Sequence, residues 1–61
     1  MAIRIELELS EEQAEALAQF LKRVGFSDYR SLAQDEGEAY AMLYAGERVR
    51  AALAEAGYAP R

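Results

Sequence analysis

Apolar and polar residues alternate strictly at the start of the chain. The apolar positions are Ile3, Ile5, Leu7 and Leu9, and the polar positions between them are Arg4, Glu6 and Glu8. A period of two is typical of a β-strand with one buried face, and helical periodicity would not place the four apolar residues on one stripe. The pattern therefore predicts a strand over about residues 2–9.

The periodicity becomes helical after Ser10. The sequence Ser-Glu-Glu-Gln at residues 10–13 predicts a capping box, in which the side chains of Ser10 and Gln13 each accept a hydrogen bond from the other residue's backbone N–H. Gly25 is the expected left-handed residue that ends this helix. The apolar stripe consists of Ala14, Leu17, Phe20, Leu21 and Val24. The pattern predicts a helix over about residues 11–24.

Two further helices are predicted downstream. Ser27 is the expected N-cap of a short helix over about residues 27–34. Asp35 is the expected N-cap of a third helix over about residues 36–56, with Glu38 at the capping-box position and Gly57 as the left-handed residue after its end. We expect residues 57–61 to form a frayed tail. The apolar stripe of the third helix is Ala39, Met42, Leu43, Gly46, Val49 and Leu53.

Gly46 lies within that stripe. A glycine in a helix interior costs about 1 kcal/mol relative to alanine. Its presence indicates either the close approach of another backbone or a glycine that is simply tolerated, and the sequence favours neither.

The fold class that these elements predict is a small α+β domain of order β-α-α-α over residues 1–61. A lone strand needs a partner for its backbone groups. That partner is a symmetry mate in a homodimer, an irregular segment of the same chain, or the sheet edge of a target protein. We favour a homodimer in which the apolar strand face is buried, because residues 57–61 are few and interrupted by Pro60. The proposed dimer strand residues are Ile3, Ile5, Leu7 and Leu9.

Composition restricts the possible chemistry. The 61 residues include no cysteine and no histidine, and 11 acidic against 7 basic residues give a net charge of −4. Disulfides, thiolate zinc sites and the commonest general base are therefore excluded. The acidic balance disfavours direct nucleic-acid binding, and no apolar run is long enough for a membrane span. We expect a cytoplasmic protein that is not an enzyme, with no cofactor, no metal and no catalytic residue.

Residues 2–34 resemble the ribbon-helix-helix family of DNA-binding proteins. The resemblance lies in the order strand, capped helix and a Gly-Phe-Ser corner at residues 25–27 that opens another helix. It implies a two-stranded ribbon whose outward residues enter the major groove, with Ser27 facing a backbone phosphate. The outward residues here include Glu6 and Glu8, which a dimer would double to four carboxylates facing the phosphates.

The segments ALAQFLKRVGFSDYR (residues 16–30) and ALAEAGYAP (residues 52–60) resemble a family of short uncharacterised proteobacterial proteins from pseudomonads and related bacteria. These proteins are associated with mobile elements such as phages, prophages and integrated plasmids. The resemblance implies a setting in which small acidic proteins act as inhibitors of host machinery, as anti-CRISPR proteins do.

Two groups of residues are candidate partner-binding sites. Five acidic residues fall within ten positions, and such a group can occupy a groove lined with lysine and arginine, or can simply be a solvated face. Tyrosine and arginine are over-represented at binding hot spots, although a tyrosine pair also covers the edge of many cores. The candidate residues are Glu6, Glu8, Glu12 and Glu15 in the first group and Tyr40, Tyr44 and Arg48 in the second.

These observations support three functions. The first is a small acidic protein-binding module that inhibits a host nucleic-acid-handling or defence complex by binding its basic surface. The second is a ribbon-helix-helix-like DNA-binding regulator or antitoxin-type module. The third is a structural accessory subunit. In each case we expect the protein to associate with itself.

Overall fold

The structure, a computed structural model, describes residues 1–60 and contains three α-helices. They are α1 (Glu11–Arg23), α2 (Phe26–Leu32) and α3 (Glu36–Glu55). Residues 1–60 contain no β-strand, so the predicted α+β class and its N-terminal strand are wrong. All regular secondary structure in the described residues is helical.

Residues 1–9 have no regular secondary structure, and every one of them is exposed. Their alternating pattern would give a strand one apolar side, but a strand also requires a second backbone for its hydrogen bonds. The rest of the described chain is almost entirely helical, and a helix already uses its own N–H and C=O groups. Few residues of 11–60 have free backbone groups, and none of them pairs with the N-terminal segment, which comprises residues 1–9.

The capping box at the start of α1 is confirmed. The Gln13 N–H donates to Ser10 Oγ over 3.1 Å, and the Ser10 N–H donates to Gln13 Oε1 over 3.0 Å. Glu11 and Glu12 occupy the first turn, where the helix dipole favours negative charge.

The corner between α1 and α2 differs from the prediction. Gly25 has φ −113° and is the N-cap of α2 rather than a left-handed residue that ends α1. Asp28 Oδ2 accepts from the Gly25 N–H over 2.8 Å, and Ser27 is inside the helix rather than at its cap. The sequence prediction missed this arrangement because the carboxylate of Asp28 reaches back to the N-cap, so the cap itself needs no polar side chain.

Side chains and backbone bonds define both ends of α3. Asp35 Oδ1 accepts from the Glu38 N–H over 2.8 Å, as predicted, but the Glu38 carboxylate accepts from Gln34, one residue before the cap. At the other end, Gly57 has φ 101° and its N–H bonds to Ala54, while the Tyr58 N–H bonds to Leu53. This pair of bonds is a Schellman motif, which confirms Gly57 as the left-handed residue.

Helices α1 and α2 each pack against α3 but not against one another. The buried residues of α1 are Ala14 and Ala18, and those of α3 are Ala39 and Leu53. Three of these four are alanines, so the helices approach closely around a core that contains little side-chain volume.

The residues after α3 fold back rather than fray. Tyr58 is partly buried and packs against the core formed by Ala14, Ala18 and Leu53. Pro60 lies with Tyr58 beside Glu15 at the edge of a small hollow on α1. The frayed tail predicted for residues 57–61 is therefore wrong for residues 57–60, and Arg61 lies outside the described residues.

Candidate interaction surfaces

The N-terminal segment displays its apolar side chains to solvent. Ile3 is 84% exposed, Ile5 80% and Leu7 69%, and Leu9 is less exposed where the chain enters α1. No hydrogen bond joins residues 1–9 to another described residue. The apolar residues of the predicted strand are thus exposed, and the fold of one chain does not cover them.

An open groove runs between α1 and α2. It has a volume of about 830 Å³, and it forms because both helices pack on α3 and diverge from each other. We call it the α1–α2 groove; it is lined by Ala16, Gln19, Phe20, Arg23, Val24, Asp28, Tyr29, Ser31 and Leu32.

Large apolar side chains in this groove are exposed. Phe20 is 57% exposed and Leu32 is 82% exposed. Phe20 belongs to the apolar stripe of α1, but the buried face of this helix centres on Ala14 and Ala18 instead. The groove was not predicted from the sequence. It could have been, because the apolar stripe on α1 is wider than the surface that one neighbouring helix can cover.

The acidic patch comprises Glu6, Glu8, Glu11, Glu12 and Glu15, all of which are exposed. The first two lie on the N-terminal segment and the other three on the first turns of α1. The helix dipole accounts for Glu11 and Glu12. Glu6 and Glu8 have no such explanation, because they are outside the helix and accept no hydrogen bond from the described residues.

Tyr40 and Tyr44 form an aromatic cluster with Phe26 of α2. The Tyr40 and Tyr44 ring centroids are 6.1 Å apart, and the Phe26 and Tyr40 centroids are 4.7 Å apart. Tyr40 is 42% exposed and Tyr44 57% exposed. Arg48 is also exposed, one turn further along α3. The cluster therefore joins α2 to α3 while leaving part of both tyrosines accessible to a partner.

A second acidic group, Asp35, Glu36 and Glu38, surrounds the start of α3. The carboxylates of Asp35 and Glu38 accept backbone hydrogen bonds there, so capping accounts for them. Among residues 1–60, no three histidine, cysteine, aspartate or glutamate side chains are grouped as a metal site would require.

Of the helices described here, none has the length and hydropathy that a membrane crossing requires. The described residues form a small three-helix protein with an alanine-rich core. Its surface includes an apolar groove, an uncovered N-terminal segment and an acidic patch. The chain belongs to DUF7706, a family of unknown function, whose family model matches residues 1–61. No curated protein and no solved structure matches the chain.

Proposed function

We propose that this protein is a non-catalytic protein-binding module whose acidic patch binds a basic surface on a protein partner. In its most specific form it is a mobile-element inhibitor, similar to anti-CRISPR proteins, that competes with nucleic acid for a host nucleic-acid-handling or defence complex. The proposal assumes a cytoplasmic location, where such complexes act.

The observation that carries the proposal is the exposure of Glu6 and Glu8 on a segment that the helices do not use. Elsewhere in the chain, the carboxylates of Asp28, Asp35 and Glu38 satisfy backbone N–H groups at helix starts. Glu6 and Glu8 are fully available to an external cation. A cluster of like charges of this kind raises association rates with an oppositely charged surface and repels like-charged partners.

Direct DNA binding receives less support. The same carboxylates would face the phosphates in a ribbon-helix-helix arrangement, which is electrostatically unfavourable. The resemblance also assigned a phosphate contact to Ser27, but Ser27 lies within α2, whose start is capped by Asp28 through Gly25.

The test compares two charge-reversal variants that change the net charge equally. Glu6→Lys/Glu8→Lys alters the acidic patch, and Glu47→Lys/Glu55→Lys alters exposed positions of α3. Each tagged protein is used in a pull-down from a nuclease-treated proteobacterial host lysate at moderate salt. We expect the wild type and the α3 variant, but not the patch variant, to capture a nucleic-acid-handling complex.

The captured complex is then purified and its nucleic-acid binding is titrated with each protein. Competition by the wild type and the α3 variant alone would support inhibition through the acidic patch. Equal capture by a folded patch variant would refute the role of Glu6 and Glu8. Capture without competition would leave protein binding intact and remove the inhibitor function.

We also propose that the protein is a homodimer. The apolar side chains of Ile3, Ile5 and Leu7 are largely uncovered in one chain, and exposed apolar surface of this extent marks an interaction site in most small proteins.

A further inference from the structure

We propose that the N-terminal segment of one copy occupies the α1–α2 groove of a second copy, and that the exchange is reciprocal. The inference rests on the proposed homodimer and adds to it the two surfaces that meet. It requires no strand pairing, because an apolar segment is received by a groove between helices.

The chain exposes more surface than a compact protein of its mass. Its accessible surface is 5287 Å². A compact protein of this mass, 6.8 kDa, exposes only about 4,000 Å². The excess of about 1,300 Å² exceeds the roughly 800 Å² that each partner contributes to a stable interface. The chain therefore has enough surplus surface to form a stable interface with a second copy.

The overall dimensions agree with that conclusion. The radius of gyration is 12.3 Å, whereas a compact domain of 61 residues has a value of about 10.5 Å. The shortest extent of the molecule is 15 Å against 33 Å for the longest. Such a flat molecule leaves too much of its apolar surface on the outside for one copy to bury.

The two surfaces complement each other in chemistry. Phe20, Val24 and Leu32 present apolar groups in the groove, and alternate residues of an extended segment place apolar groups on one side. With Ile5 and Leu7 directed into the groove, Glu6 and Glu8 face outward, so the acidic patch stays accessible.

The segment is also long enough. Nine residues span about 30 Å when extended. Helix α1 has 13 residues and is therefore about 20 Å long. A segment of this length can follow the groove along the whole C-terminal half of α1 in another copy. In its own chain, the segment is exposed at every residue and lies outside the groove.

The experiment uses two full-length variants that each disable one surface. The segment variant is Ile5→Asp/Leu7→Asp and the groove variant is Phe20→Asp/Leu32→Asp. All four positions are exposed in the single chain, so the helices are expected to persist, and circular dichroism checks that they do. Val49→Asp, which introduces one aspartate at an exposed position of α3 outside the groove, is a control for placing a carboxylate on the surface.

Sedimentation velocity measures the association of each protein over a concentration series. We expect dimers for the wild type and the Val49→Asp control. Either double variant alone should raise the dissociation constant by about 100-fold or more, because a carboxylate is costly to bury in an apolar groove. An equimolar mixture of the two variants should form a heterodimer, since one intact segment then meets one intact groove.

Restored association in the mixture is specific to exchange between segment and groove. A groove variant that remains dimeric, or a mixture that does not associate, would overturn this inference while leaving the homodimer standing. A monomeric wild type would overturn both. None of these results depends on the partner of the acidic patch, which the lysate experiment tests separately.

Discussion

The hydroxyl of Tyr29 on α2 lies so close to Gly46 of α3 that it would clash with a Cβ atom at that position. Such a Cβ would also lie 3.2 Å from Tyr29 Cζ and 3.5 Å from Cδ2 of Leu21 on α1. Of the two interpretations that the sequence allowed for Gly46, close approach is therefore correct, but the approaching group is a side chain rather than a backbone. The glycine lets α2 pack on α3 through the end of a tyrosine ring.

Gly46→Ala should lower the free energy of unfolding even though alanine is the better helix former. The helix propensity favours alanine by about 1 kcal/mol. Against this, Tyr29 is partly buried and has to shift, and overpacking typically costs about 1–3 kcal/mol. Urea denaturation at one fixed protein concentration measures the difference, because the stability of a dimer depends on concentration.

The double variant Gly46→Ala/Tyr29→Phe tests whether the Tyr29 hydroxyl causes this loss of stability. Removing the hydroxyl removes the closest contact and leaves the Cζ contact of 3.2 Å. The penalty of Gly46→Ala should therefore be smaller by about 1 kcal/mol in the Tyr29→Phe background than in the wild type. Identical penalties in both backgrounds would show that the hydroxyl does not control packing at Gly46.

The corner between α1 and α2 should respond to Asp28 and not to Ser27. Asp28→Ala removes the acceptor of the Gly25 N–H and should cost about 1 kcal/mol of folding stability. Ser27→Ala changes an exposed residue inside α2 and should stay within about 0.5 kcal/mol of the wild type. Thermal unfolding of both variants tests this ranking, and a larger loss for Ser27→Ala would show that serine is the cap.

Two glycine-to-alanine substitutions should act in opposite directions. Gly57 has φ 101° and open space around its Cα, so Gly57→Ala costs only the backbone strain, about 1 kcal/mol. Gly37 is in the first turn of α3, where a Cβ would lie 3.4 Å from Asp35 Oδ1. Gly37→Ala should stabilise the protein by a few tenths of a kcal/mol up to about 1 kcal/mol. Denaturation curves of both variants and the wild type give the sign of each change in stability. Destabilisation by both substitutions would contradict the prediction.

The alanine-rich core should reject larger side chains. Ala18 of α1 and Ala39 of α3 have no exposed surface, so Ala18→Leu and Ala39→Leu should each cost about 1–3 kcal/mol or more. Ala51→Leu introduces the same side chain at an exposed position of α3 and should change stability by less than about 0.5 kcal/mol. Comparable losses at all three positions would indicate that helix packing does not depend on the small residues.

The starts of α1 and α3 and the end of α3 could be predicted from sequence alone, but the start of α2 could not. Ser10 with Gln13, Asp35 with Glu38, and Gly57 each act through groups within four residues of one another. Such short-range chemistry is independent of the rest of the fold, so a sequence pattern is sufficient to predict it. The candidate residues Tyr40 and Tyr44 were also predictable as neighbours, since they are one helical turn apart.

The remaining features depend on the tertiary structure. The alternation in residues 3–9 predicted a strand that does not form, because strand formation depends on a second backbone that residues 11–60 do not supply. The exposure of Phe20 follows from the separate packing of α1 and α2 on α3, which no local pattern encodes. By itself, the sequence determined the caps at the starts of α1 and α3, the glycine that ends α3, and which residues are apolar. Only the tertiary structure decided which apolar residues one chain can cover, because burial depends on the distances between helices rather than on the order of residues.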